Sequence, residues 1–201
     1  MFDRTIQRSL LMAVILPLSS NVISREISYD FIQGTYSSVT DSSLPNGDID
    51  GDGLGVSGSL SITQNLAITA GFNATSFDSY QGIDIDTSEF VLGITLHAPI
   101  AVGTDVVANF SALKAKVEMT GGVQPFDDND TGIVAGIGLR HLVTSSVEVD
   151  VGFTYTDVFD DSFNTFGLGA RFYANEKISF GIGYATGDDV DALLLNVRLD
   201  I

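Results

Sequence analysis

The feature that most constrains this chain is a period of two. Apolar residues recur at every second position through segment after segment, the signature of a strand with unlike faces. "LAITAGFNAT" (66–75) places Ile68, Ala70, Phe72 and Ala74 opposite Thr69, Gly71, Asn73 and Thr75. "EFVLGITLH" (89–97) sets Phe90, Leu92, Ile94 and Leu96 against Glu89, Gly93, Thr95 and His97. "VEVDVGFTYT" (147–156) and "FGLGARFY" (166–173) repeat the pattern. Ten such segments are expected, at 26–37, 53–63, 66–77, 86–97, 104–117, 131–142, 146–157, 163–173, 177–186 and 191–200. Two are untidy. In 26–37 the face of Ile27, Tyr29 and Phe31 is interrupted by Gln33. In 104–117 Lys114 and Lys116 fall on the face of Val106, Ala108 and Phe110, which suggests a bulge there.

Most of these segments are near the roughly 9–11 residues that a tilted strand needs to cross a bilayer. Their polar faces carry mostly Gly, Ser, Thr and Asn, which suits a narrow enclosed interior rather than an open surface. A closed barrel also satisfies every backbone N–H and C=O, which hydrocarbon cannot do. The alternative is a secreted lipocalin-like barrel or a sandwich, whose buried face would be crowded with large residues. The expected fold is therefore all-β: a closed antiparallel up-and-down transmembrane barrel of ten strands, with eight as the alternative.

The connections alternate in character. Links at 64–65, 98–103, 144–146 and 174–176 are short. Those at 38–52, 78–85, 118–130, 158–162 and 187–190 are longer or more acidic; with their mouth residues they hold 17 acids and no lysine or arginine. In an up-and-down barrel alternate connections share an end, so one rim is expected to be anionic. The whole chain carries a formal charge of −17, which argues against a nucleic-acid partner. It has no cysteine, so neither a disulfide framework nor a thiolate metal site is available.

Residues 1–24 differ from the rest. Arg4 and Arg8 precede the apolar run "SLLMAVILPL" (9–18), too short to span, and Val22 and Ser24 stand at −3 and −1 of a cleavage site. A signal peptide over 1–24 and a barrel domain over 25–201 are expected. Cleavage leaves 25 acidic and 7 basic residues, a charge of −18.

"ISYDFIQGTYSS" (27–38), "DGDGLGVSGSLSIT" (50–63) and the hairpin "GIGLRHLVTSSVEVDVGFTYTD" (136–157) resemble the small outer-membrane β-barrel proteins of Gram-negative bacteria, OmpA/OmpX-like or porin-like. The resemblance covers the chain after residue 24. It implies residence in the outer membrane, with acidic loops extracellular and short turns periplasmic. Members usually end in an aromatic residue and commonly have eight strands; this chain ends on Ile201 and shows ten segments.

Face assignment sends Arg140, Arg171 and Arg198 inward with Glu89, Glu148 and Asp150, and with Asp30. The turn at 144–145 sets Arg140 opposite Glu148 or Asp150. Charges in a narrow lumen must be paired or wet. They form either a structural ion-pair network or an ion-selecting constriction. The two histidines, His97 and His141, fall at the short-turn end, away from the acidic rim and from any nucleophile, so no catalysis is expected. Asp48, Asp50, Asp52 and Gly53 match the first half of a calcium loop, but position 12 is Ser59 and no helix flanks the run. What remains is a weak divalent site at Asp48, Asp50 and Asp52, alone or with Asp127, Asp128 and Asp130. No cofactor is expected beyond loosely bound Ca²⁺ or Mg²⁺, which would bridge the rim to phosphorylated lipopolysaccharide. The function expected is a monomeric, non-enzymatic barrel acting in the envelope or at the surface. The alternative is a narrow cation-selective porin.

Overall fold

A computed structural model describes residues 28–43, 47–121 and 125–201. The expected signal peptide lies outside them. Among the described residues there is no helix. Ten strands follow in order: β1 Phe31–Asp41, β2 Ile49–Thr63, β3 Leu66–Tyr80, β4 Ile83–Ala101, β5 Thr104–Thr120, β6 Phe126–Thr144, β7 Val147–Val158, β8 Asp161–Tyr173, β9 Ile178–Gly187 and β10 Val190–Asp200. Each pairs antiparallel with its neighbours in sequence, and β1 with β10 closes the barrel.

Register fixes the shape. From Asp86, a path across the strands runs through Ser76, Asp52, Ser38, Leu193, Tyr184, Leu168, Val151, Leu139 and Val106. It re-enters β4 at Ala98, twelve residues further along. A stagger of that size over ten strands tilts them by roughly 40°. The outward apolar run of β4 extends from Phe90 through Leu92, Ile94 and Leu96 to Ile100. At about 3.4 Å per residue and that tilt, it covers ~26 Å of height, matching the ~25 Å apolar band of an outer-membrane barrel. The outward residues are large and bare: Leu54 is 69% exposed and Phe110 55%.

Four features depart from the sequence reading. First, the strands run further toward the acidic end, and β4 and β6 reach 19 residues. Much of the expected loops 38–52, 78–85 and 118–130 is strand. The links 81–82, 159–160 and 188–189 shrink to two residues. Both residues of each have positive φ (Gln81 53° and Gly82 78°; Phe159 56° and Asp160 58°; Asp188 41° and Asp189 74°), the twist of tight hairpin turns. Second, β5 contains no bulge at its lysines; its pairing with β4 is unbroken from Thr120 to Asp105. Register shifts occur instead beside turns, as between Ser61 and Thr63. Third, β1 has the opposite phase: Phe31 and Gln33 point in, and Ile32 and Tyr36 point out. Fourth, Asp30 does not join the interior charges. Its carboxylate accepts the Ser61 N–H at 2.5 Å, where β2 loses register.

Candidate functional site

The interior is built in layers. At the short-turn end three arginines converge from β6, β8 and β10. Arg140 Nε donates to Glu148 Oε1 at 2.9 Å, and the Tyr173 hydroxyl donates to Glu148 Oε2 at 2.8 Å. Arg171 donates to Gln33 Oε1 at 2.8 Å and to Ser179 Oγ at 3.2 Å. Arg198 pairs with Asp200 at 2.6 Å and donates to the Ser28 carbonyl at 2.7 Å. Arg198 and Glu148 are wholly buried. Asp150 pairs in register with Arg140, and its carboxylate lies over Gly169 of β8, where any Cβ would collide with it.

Aromatic rings cover this cluster. The Arg198 guanidinium stands 3.9 Å from the centre of the Phe31 ring. Tyr29 stacks on His97, with ring centres 3.5 Å apart and planes 21° from parallel. The Arg140 guanidinium lies 5.4 Å from the Tyr29 ring, and the Tyr29 hydroxyl donates to Asp105 Oδ2 at 3.3 Å. Sequence reasoning missed Tyr29, Phe31 and Gln33 because it inverted β1. It also missed Asp105 and Asp200. Asp200 carried a legible signal, since it sits two residues from Arg198 and therefore on the same face.

Glu89 is not part of this cluster. It lies higher in the barrel, paired in register with Asn73 and Ala115. Threonines and serines lie between it and the arginines, among them Thr35, Ser57, Thr154 and Thr165. From the height of Glu89 toward the acidic end, the interior is mostly apolar. Val39, Ile49, Phe77, Ile85, Leu113, Val117, Met119, Val134, Val158, Phe163 and Val190 belong to one buried cluster. All ten strands contribute to it, so it forms a layer that crosses the bore.

The acids of the rim do not converge. Asp50 and Asp52 sit two apart on the outer face of β2, so their Cα atoms are roughly 6.8 Å from each other. The Thr40 hydroxyl donates to Asp50 at 2.8 Å, and the Tyr36 hydroxyl to Asp52. Asp48 precedes the strand. Asp127 points outward on β6 while Asp130, on the opposite face, accepts the Phe159 N–H at 2.6 Å. Among the described residues no group of three or more His, Asp or Glu side chains is placed to hold a metal. The expected site at Asp48, Asp50 and Asp52 is thus not assembled, because a strand spreads carboxylates that a loop would gather. These acids form a girdle just above the hydrocarbon band instead. Tyr184 donates to Asp191 at 2.7 Å, Tyr155 to Asp157 at 3.1 Å and Ser76 to Asp86. Ser79 donates likewise to Asp84.

The two histidines occupy opposite faces of the wall. His97 is inside, against Tyr29. His141 is outside, 2.9 Å from Thr104 Oγ1.

A family model described as outer membrane protein beta-barrel domain matches residues 27–173. The chain belongs to that family. It is accordingly an outer-membrane protein, and the match ends where β8 does, leaving β9 and β10 to complete the closure. Solved barrels share the fold. The transport unit of the autotransporter AIDA-I from Escherichia coli superposes with a TM-score of 0.58 at 10% identity, covering 98% of this chain and 97% of that one. The translocator domain of the autotransporter NalP from Neisseria meningitidis gives 0.51 at 10% identity, covering 98% and 93%. Neisserial surface protein A gives 0.50 at 13% identity, covering 87% and 98%. No curated protein matches this outer-membrane barrel in sequence.

Proposed function

We propose that this outer-membrane barrel is a closed, non-enzymatic element of the cell envelope, monomeric, that presents an acidic surface to the exterior. The supporting observation is the apolar layer across the bore at the acidic end. Ions cross a dry apolar layer poorly, because charge transfer into such surroundings is costly. At the other end the arginine cluster and its aromatic cover fill the mouth. The charges there act as a structural ion-pair network rather than a selecting constriction. The acidic end faces outward and the short turns face the periplasm, which follows the family pattern of longer outer extensions. There the girdle of Asp52, Asp86, Asp157 and Asp191 lies at the height of lipid headgroups. Phosphorylated lipopolysaccharide can approach it only with Mg²⁺ or Ca²⁺ in between, so lipid and divalent cations are its partners. The separation of His97 and His141 on two faces supports the non-enzymatic reading.

Conductance in planar lipid bilayers tests this. The purified barrel is expected to be silent. Discrete cation-selective openings would make it a narrow porin instead. Hydrolysis of a lipid or peptide that is lost on replacing His97 or His141 would make it an enzyme.

A further inference from the structure

Inside the apolar layer lies a carboxylate with no cationic partner among the described residues. Glu89 is 5% exposed, and its Oε1 has no hydrogen-bond partner among the described residues. The arginines that point inward, Arg140, Arg171 and Arg198, all belong to the layer near the short turns. On β5 Glu89 faces Ala115, with Leu113 and Val117 on either side, so no donor comes from that strand.

On the other side Glu89 meets oxygen. Its register partner on β3 is Asn73, and the next inward pair is Thr87 with Thr75. Directly opposed side chains on one face of a sheet lie about 4.5–5.5 Å apart at Cβ. Asn73 Nδ2 donates to Thr75 Oγ1 at 3.2 Å, which leaves its carbonyl oxygen as an acceptor. Beyond Thr75 stands Gly53, opposite both Thr75 and Ser37. A methyl group there would collide with Ser37 Oγ and Thr75 Oγ1, so glycine leaves room for both hydroxyls. Ser37 Oγ has no partner among the described residues and is 2% exposed. Around Glu89 the result is a buried patch of one carboxylate, one amide carbonyl and the hydroxyls of Thr75 and Thr87, with Ser37 beyond them.

We propose that this patch binds one alkali cation inside the lumen, with Glu89 as its charged ligand and Asn73, Thr75 and Thr87 as neutral oxygen donors. All-oxygen donor sets suit hard cations. A single carboxylate is balanced by a single positive charge, which favours a monovalent ion over a divalent one. The ion neutralises a charge set among apolar side chains, well above the arginine layer. It is independent of the outer acidic girdle.

Heat-modifiability melting of the folded full-length barrel tests the site. At equal ionic strength the midpoint is expected to be several degrees higher in Na⁺ or K⁺ than in N-methylglucamine, which is too large to enter. Screening of the outer acids is common to the three salts. Glu89→Gln should abolish the difference. Crystals of the wild type grown in Rb⁺ provide a readout that needs no variant: an anomalous peak is expected beside the Glu89 carboxylate. A wild-type midpoint indifferent to the cation, a Glu89→Gln barrel that keeps the difference, or Rb⁺ crystals with no peak at Glu89 each overturn the proposal and leave a protonated Glu89.

Discussion

The two ends of β5 live in different solvents. Toward the short turns, Val106, Ala108 and Phe110 face lipid while Asp105, Asn109 and Ser111 face the interior. Toward the acidic end, Lys114, Lys116 and Glu118 face outward, and Leu113, Ala115, Val117 and Met119 fill the bore. β4 does the same, with Phe90–Ile100 outward below and Ile85 inward above, opposite Asp84 and Asp86. The lower barrel is apolar outside and polar inside; the upper barrel is mostly the reverse, like a water-soluble barrel standing on the membrane, apart from an inward group that includes Asp41, Thr75, Thr87 and Glu89. The strand is continuous and only the sign of its alternation changes. Periodicity reports that two faces differ, and the surrounding solvent decides which of them is greasy.

Breaking the buried charge layer should have the largest effect. Arg140→Ala strands Glu148 in the interior and is expected to cost about 3–5 kcal/mol, read as a lower midpoint in urea unfolding from bilayers. Replacing both Arg140 and Glu148 with Met should recover only part of that loss, because the pair is removed whole while Asp150 still loses the guanidinium beside it.

Next comes the contrast between the two apolar surfaces. Leu113→Ala opens a cavity in the packed upper layer and should cost about 2–5 kcal/mol. Leu96→Ala, on the lipid face, should cost clearly less, because acyl chains fill the space. Equal losses at the two positions would mean that the upper interior is not packed.

The charge contrast is smaller and sharper. Ile94→Arg, near the middle of the lipid band, should cost about 2–4 kcal/mol. Lys116→Leu, on the same outward face of the neighbouring strand but above the membrane, should change stability little, since it removes only an exposed pair with Glu118 at 2.7 Å. Smallest of all, Asp50→Ala removes one exposed hydrogen bond to Thr40 and should cost less than about 1 kcal/mol.

The barrel was legible in the sequence because strand alternation is local: each segment shows its two faces without knowing its neighbours. Arg140, Arg171, Arg198 and Glu148 could be placed inward on that ground alone. The upper layer was not legible. Lys114 and Lys116 looked like a break in register, when they mark the height at which lipid gives way to water, and height depends on stagger across all ten strands. β1 was misphased because Tyr29 and Phe31 are apolar yet face inward, covering arginines contributed by strands more than a hundred residues away. The acids at 48–52 suggested a loop because glycines punctuate them. Pairing with β1 extends that run into a strand and separates the carboxylates.

Single cysteines placed one at a time from 105 to 119, in a chain that has none of its own, test the inversion most directly. In liposomes each carries a nitroxide, whose collision with oxygen reports lipid and whose collision with a water-soluble nickel chelate reports water. Positions 106, 108 and 110 should be lipid-accessible, 114, 116 and 118 water-accessible, and 113, 115, 117 and 119 shielded from both reagents. If 114, 116 and 118 report lipid, or if 113 to 119 report water at the odd positions, β5 does not change sides and the upper barrel is not closed by an apolar layer.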